Sequence, residues 1–251
     1  MSLSAVLITL NEAARVERCL ASLAWADEII VVDSGSTDGT LEICVRHGAK
    51  VFSTTDWPGF GPQKNRALAH ACGDWVLSID ADEWLSPQLA DEIRAAMGRN
   101  APAVAYRMPR RSRYLGRVMR HGGWWPDYVV RLFRRDRGRF SDDRIHERVV
   151  VDGPVATLIE PLEHEAFVDL EQVLNKVNRY STLGAEMLAE RGRRASLRSA
   201  VAHGLWAFIR TYIVQAGFLD GQAGFMLAVS NAEGTYYRYA KRALAQHRPW
   251  T

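Results

Sequence analysis

Val76-Leu77-Ser78-Ile79-Asp80-Ala81-Asp82-Glu83-Trp84 is an apolar run that ends in two carboxylates separated by one alanine. Alternation along an extended chain puts Asp80 and Asp82 on the same face. A strand interior would not aim two like charges together. At the carboxyl end of a buried strand they can converge on a divalent cation, and in open α/β sheets that end is where ligands bind. Hard oxygen ligands suit Mg²⁺ or Mn²⁺, and a cation with few protein ligands keeps positions open for substrate phosphates. The bland alternative is a solvated turn ahead of a helix that starts at Ser86-Pro87.

The flanking sequence decides between the two. Ala5 to Leu10 is a continuous apolar run, as in a strand buried on both faces, and Asn11-Glu12 ends it. Glu28 to Asp33 is a second such run, again closed by a carboxylate. Ser34 to Gly39 is rich in turn and capping residues. Helical spacing follows over 15–23, 40–47 and 61–71, with a short strand at 49–53 and the strand 74–79 that delivers the acidic pair. Strands alternating with helices predict βαβ units and a mostly parallel central sheet flanked by helices. The loops that hold Thr9, Asn11 and Glu12, Asp33, and Asp80 then open on one edge of the sheet. A nucleotide across that edge would offer base N–H groups to Asp33 and ribose hydroxyls to Glu12 or Asp80, with Lys64 and Arg66 in reach of its phosphates. A cap for Asp33 and a solvated helix face for Lys64 are the plainer readings.

LITLNE, VVDSGSTDGT, GPQKNRAL and SIDADEW, in this order, resemble the donor half of glycosyltransferase family 2. The resemblance implies the nucleotide-diphosphate-sugar-binding GT-A fold. It implies that Glu12 and Asp33 hold the nucleoside, that Asp80 sits near ribose and metal, and that Asp82 ligates a Mg²⁺ or Mn²⁺ beside the diphosphate of a UDP-sugar donor. A phosphatase of the haloacid-dehalogenase type also uses an Asp-x-Asp pair, but on its first strand, which here ends in Asn11-Glu12. A nucleotidyltransferase would carry a Gly-rich basic signature near the first strand, and this chain has none.

After Gly98 the character changes. Val104 to Arg113 reads as a strand running into a basic segment with Arg107, Arg110, Arg111, Arg113, Arg117 and Arg120. That density of arginines suits an anionic saccharide or phosphorylated partner, or is a solvated surface. Trp124 and Trp125, beside glycines, read as a sugar platform or as core. Arg110, Arg111, Trp124, Trp125 and Arg131 are therefore the candidate acceptor-binding residues. Asp127 is the candidate general base, because an inverting transfer needs a carboxylate within hydrogen-bond reach of the acceptor hydroxyl. Asp127-x-x-x-Arg131, with Gly138 and then His146-Glu147 downstream, resembles the family's Glu-Asp motif and later histidine. Pro126 stands where the family usually has Glu, so Glu147 is the second candidate base. His146 is a candidate third metal ligand, an orienter of the diphosphate, or structural.

From about Leu170 the chain reads helical. Residues 197–218 are apolar and aromatic but interrupted by Arg198, His203 and Arg210, which suits a helix in a membrane interface, or one packed on the catalytic domain or a second subunit. GGWWPDYVVRLFRR, RIHERV, LNKVNRYSTLGAEML and GLWAFIRTYIVQAGFLDG are similar to the lipopolysaccharide-core β-1,4-glucosyltransferase branch of the family. That branch implies glucose transfer to an inner-core heptose at the cytoplasmic face of the inner membrane. The stretch Leu162-Glu-His-Glu-Ala departs from its pattern.

The expected division is a GT-A catalytic domain over 1–165, with its donor half at 1–98 and acceptor half at 99–165, then a helical extension over 166–251. Length, 251 residues, is enough for this. The net charge of +3 and the lack of a recognition motif argue against nucleic acid. Cys19, Cys44 and Cys72 form no CxxC, so they read as thiols of a reducing compartment. The N-terminal apolar run is broken at once by polar residues, and no run reaches the roughly 18 apolar residues of a membrane span, so a cytoplasmic location is expected. A non-catalytic sugar- or nucleotide-binding relative is the alternative of another class.

Overall fold

The computed structural model describes residues 1–99, 102–142 and 147–246. The chain divides into two compact units, Met1–Arg110 with Asp127–His164, and Arg111–Pro126 with Glu165–Thr251. The stretch 111–126, expected in the acceptor half, thus belongs with the C-terminal helices.

In the first unit the expected alternation is present. The elements run β1 (Leu3–Thr9), α1 (Ala13–Ser22), β2 (Glu28–Asp33), α2 (Thr40–Arg46), β3 (Lys50–Ser53), α3 (Phe60–Ala69), β4 (Trp75–Ser78), β5 (Glu83–Trp84) and α4 (Pro87–Gly98). The short β5 was not expected. β1, β2 and β4 are buried almost throughout, which is why they read as unbroken apolar runs. Ser86 Oγ accepts the Leu89 N–H and Pro87 opens α4, so the helix starts where its cap residues stand.

β6 (Ala105–Tyr114) passes from the first unit into the second, where the two-residue β7 (Arg117–Val118) pairs with it. The first unit resumes with β8 (Asp127–Arg134), β9 (Gly138–Phe140), β10 (Val149–Val151) and β11 (Val155–Thr157). β12 (Leu162–Phe167) follows, its last residues belonging to the second unit. The main sheet has the order β3-β2-β1-β4-β8-β6-β12-β5. β3, β2, β1 and β4 are parallel, while β8 runs antiparallel to β4 and to β6.

The donor strands therefore all point one way, and β8 brings its first residue back toward their carboxyl ends. α3 is docked onto β9 by Asn65, whose side chain donates to the Phe140 carbonyl at 3.0 Å and accepts the Phe140 N–H at 2.9 Å. A Cβ on Gly61 would fall 1.9 Å from the Ser141 carbonyl oxygen, so only glycine permits this approach.

The second unit is built on α5 (Leu170–Glu190), α6 (Leu197–Ile209) and α7 (Gly221–Gln246). Asp169 caps α5, and a Ser196/Ser199 capping box opens α6. The single helix expected over 197–218 is broken. α6 gives way to a π-helical turn at Arg210–Val214 and a 3₁₀ turn at Gly217–Asp220. A Cβ on Gly224 would lie 1.8 Å from the Gly217 carbonyl, so the reversal depends on a glycine in α7. The unit's own core joins Tyr114, Met119, Val173, Ala223 and Leu227.

Candidate active site

At the carboxyl ends of β1 and β2 the chain closes on itself. Asp33 is fully buried. Its Oδ1 accepts the Gly35 and Ser36 N–H groups at 2.9 and 2.8 Å. Its Oδ2 accepts the hydroxyls of Thr9, at 2.8 Å, and of Ser36. Thr9 and Asp33 were expected to face a nucleoside; here their side chains are engaged with each other and with the turn, which for Asp33 is the capping role of the plainer reading. Asn11 is exposed, and its Oδ1 accepts the Thr37 N–H at 2.8 Å, bracing the same turn.

Glu12 caps this edge beside Arg15. Burial pushes its carboxyl up to about 7; Arg15 pulls it down, while Asp82, Asp38 and Asp80 add to the rise.

At the end of β4 an alternating chain of charges begins. Lys64, only 6% exposed, lies 2.9 Å from Asp80 Oδ1 and 2.9 Å from Glu147 Oε1. The other oxygen of Asp80 accepts from Arg131 Nη2, which also donates to Glu83 Oε1 at 2.6 Å. Arg110 lies 3.4 Å from Glu83 and donates through Nε and Nη2 to Asp127 Oδ2, at 3.0 and 2.6 Å. Glu147, Lys64, Asp80, Arg131, Glu83, Arg110 and Asp127 are thus joined in series, acid alternating with base.

Burial opposes the charge on Asp80, but Arg131 and Lys64 outweigh it and hold the carboxyl far below the usual range. Burial likewise opposes the charge on Lys64, and Asp80 and Glu147 more than offset it, so its ammonium is held above its ordinary value. Both oxygens of Asp80, expected as a metal ligand, have cationic partners in Lys64 and Arg131.

Asp82 faces another way. Its Oδ2 lies 3.5 Å from His164 Nε2 and 3.9 Å from Arg15 Nη1. The register that pairs His164 of β12 with Glu83 of β5 delivers this histidine. The carboxylate of this pair suits Mn²⁺ or Mg²⁺, while the imidazole favours a transition-metal ion such as Mn²⁺ over the harder Mg²⁺. Among the described residues no group of three or more His, Cys, Asp and Glu is arranged to hold a metal. His146 lies outside the described residues.

Of the expected acceptor residues, Arg110 and Arg131 are in this unit, and both serve the carboxylates. Arg131 is 7% exposed, so burial and its two acidic partners replace the acceptor contact expected of it. Arg111, Trp124 and Trp125 lie in the second unit. Trp124 is half-buried and meets Tyr114 edge-on at 5.7 Å, Trp125 is exposed and Arg111 half-buried.

Glu83, Arg131 as a charge partner, and His164 were not anticipated. The signals were present. Asp127 and Arg131 are four apart on one strand, a spacing that simple alternation puts on one face, although a register shift between β6 and β8 falls at Arg131. Glu83 adjoins the acidic pair, and His164 stands in the stretch that departs from the family pattern.

The sequence model of the family described as Glycosyl transferase family 2 matches residues 4–151. The chain is 32% identical over 262 residues to the lipopolysaccharide core biosynthesis glycosyltransferase LpsC of Rhizobium meliloti (strain 1021), covering 97% of this chain and 95% of that protein. It is 39% identical over 93 residues to the glucosyl-3-phosphoglycerate synthase of Mycobacterium tuberculosis (strain CDC 1551 / Oshkosh), covering 32% of this chain and 29% of that one. Among solved structures, mannosyl-3-phosphoglycerate synthase from Rubrobacter xylanophilus matches with a TM-score of 0.50 at 20% identity, covering 76% of this chain and 75% of that chain. That last likeness is one of fold.

Proposed function

The chain belongs to glycosyltransferase family 2 and is a glycosyltransferase of GT-A fold, and from that premise we propose an inverting transfer of a hexose from a UDP-sugar to a lipopolysaccharide-core saccharide. The observation that carries the reading is the separation of roles around the acidic pair. Asp80 is locked between Lys64 and Arg131, while Asp82 and His164 present a carboxylate and an imidazole together. Glucose as the sugar rests on the glucosyl-3-phosphoglycerate synthase relative and a lipopolysaccharide-core acceptor on the LpsC relative, while an inner-core heptose rests on the sequence resemblance alone.

Asp82 and His164 would hold a divalent cation, whose chemistry is to stabilise negative charge on the departing diphosphate. Arg15, beside Asp82, adds a fixed positive charge toward the same group. The acceptor hydroxyl oxygen attacks the anomeric carbon. The bond from that carbon to the diphosphate breaks, and UDP leaves with the electron pair. Asp127 takes the hydroxyl proton. Arg110 grips one oxygen of Asp127, so the carboxylate is oriented for this task.

Calorimetric titration with UDP, with and without Mn²⁺, tests the donor site. Asp82→Ala and His164→Ala should abolish the metal-dependent part of UDP affinity; intact metal-dependent binding in both would overturn the cation assignment. Asp127→Asn should keep UDP affinity and lose about 10²- to 10⁴-fold in turnover. If Glu147→Gln shows that loss instead, Glu147 is the base.

The same reading includes peripheral contact with an anionic membrane. No helix among the described residues is long and apolar enough to cross a membrane. Leu197, Val201 and Leu205 recur every fourth residue of α6 and are exposed, with Trp206 beside them. Exposed Arg191, Arg193, Arg194 and Arg198 flank this stripe, the pairing of apolar face and basic charge that suits an interfacial helix. The protein should float with vesicles containing phosphatidylglycerol and not with phosphatidylcholine alone, and Val201→Asp with Leu205→Asp should release it. Equal flotation with both lipids, or none with either, would overturn the contact.

A further inference from the structure

The second unit contains a cavity of about 500 Å³ that no step above uses. Trp124, Phe167 and Tyr180 contribute aromatic surface to its lining, and Lys176, Arg210 and Arg238 contribute cations. No Asp or Glu is among its lining residues. Among the described residues neither Arg210 nor Arg238 makes an ion pair, and both are exposed. Lys176 Nζ stands 4.8 Å from the centre of the Phe167 ring and 5.7 Å from that of Tyr180.

We infer that this cavity is a binding site for an anionic saccharide, a sugar bearing phosphate or carboxylate. Two features of the lining call for the two halves of such a ligand. Aromatic faces pack against the C–H groups of a sugar ring. Like charges gathered without a lining carboxylate repel one another, and an anion relieves that repulsion while accepting charge-assisted hydrogen bonds. Gln215 and Asn231 add polar groups for hydroxyls.

The backbone supplies a second, independent observation. Arg210 and Thr211 belong to the π-helical turn, and both line the cavity, as does Gln215 just beyond it. π-Turns inside helices are rare and concentrate at functional sites, because the wider turn re-aims side chains that a regular helix would send elsewhere. Here α6 abandons its regular geometry at the cavity.

The inference does not depend on the donor-site reading, and the test separates the two. The full chain is titrated calorimetrically with glucose 6-phosphate, glucuronate, glucose and inorganic phosphate, then with UDP. At least one anionic sugar should bind, with glucose and phosphate each about tenfold weaker or worse. Arg210→Gln with Arg238→Gln should weaken that binding about tenfold or more and leave UDP affinity unchanged. The charge-keeping pair R210K and R238K should lose less than the glutamine pair. Trp124 fluorescence should respond to the anionic sugar and not in Trp124→Phe. Failure of both anionic sugars to bind would overturn the site. So would phosphate binding as tightly as the sugar phosphate, displacement of the sugar by UDP, or undiminished binding in the glutamine pair.

Discussion

The two units treat charge in opposite ways. In the first, cations are drawn into the sheet edge and each is matched. Lys64 lies between Asp80 and Glu147, Arg131 between Asp80 and Glu83, and Arg110 between Glu83 and Asp127. In the second, cations line a cavity to which no carboxylate contributes. A buried charge network is costly unless every member is satisfied, so it specifies one arrangement. Arg210 and Arg238, exposed and without ion pairs among the described residues, cost little in the folded state and remain available to a ligand. The first pattern would hold the proposed base, Asp127, in place, and the second is what the proposed recognition of an anion requires.

Arg131→Met gives the largest expected effect on this contrast. It leaves the carboxylates of Asp80 and Glu83 facing each other beside Arg110 and Lys64 alone. Removing one member of a buried ion network costs about 3–5 kcal/mol. The urea unfolding midpoint should fall accordingly, while Arg210→Met in the second unit should change stability by less than about 0.5 kcal/mol. Equal losses at the two positions would mean that the cavity cations are structural after all.

The same contrast governs what was legible in the sequence. The parallel strands announced themselves, because a strand buried on both faces must be apolar throughout, and the carboxylates closing β2 and β4 marked the sheet edge. The place of Asp82 at that edge was legible for that reason. Arg131 was misassigned because its role depends on β8 returning antiparallel beside β4, a long-range pairing that local pattern does not encode. His164 was missed for a similar cause: it reaches Asp82 only through the pairing of β12 with the two-residue β5. The break in the helix expected over 197–218 was hidden because Arg210 to Val214 have no helix-breaking residue among them. The constraint lies in the close pass of Gly217 by Gly224, one of them in the next helix.

A smaller effect extends the matched pattern to the amino end of the same sheet. Glu28 opens β2, and its carboxylate accepts from Ser4 Oγ at 2.6 Å, from the Cys72 N–H at 2.7 Å and from Lys50 Nζ at 2.8 Å. Burial opposes its ionisation, yet the hydrogen bonds from Lys50, Ser4 and Cys72 win and bring the carboxyl down to about 2, from an ordinary 4.5. The native state therefore binds this proton later than the unfolded chain as pH falls. The stabilisation is present above about pH 4.5 and is lost progressively between there and pH 2. Glu28→Gln keeps the shape but not the charge, so it should cost about 1–2 kcal/mol at pH 7. The stability curves of wild type and variant should converge as the pH approaches 2. Urea titrations across that range measure both curves. A constant gap would show that shape, not charge, is what Glu28 contributes, and would confine the matched-charge pattern to the carboxyl edge of the sheet.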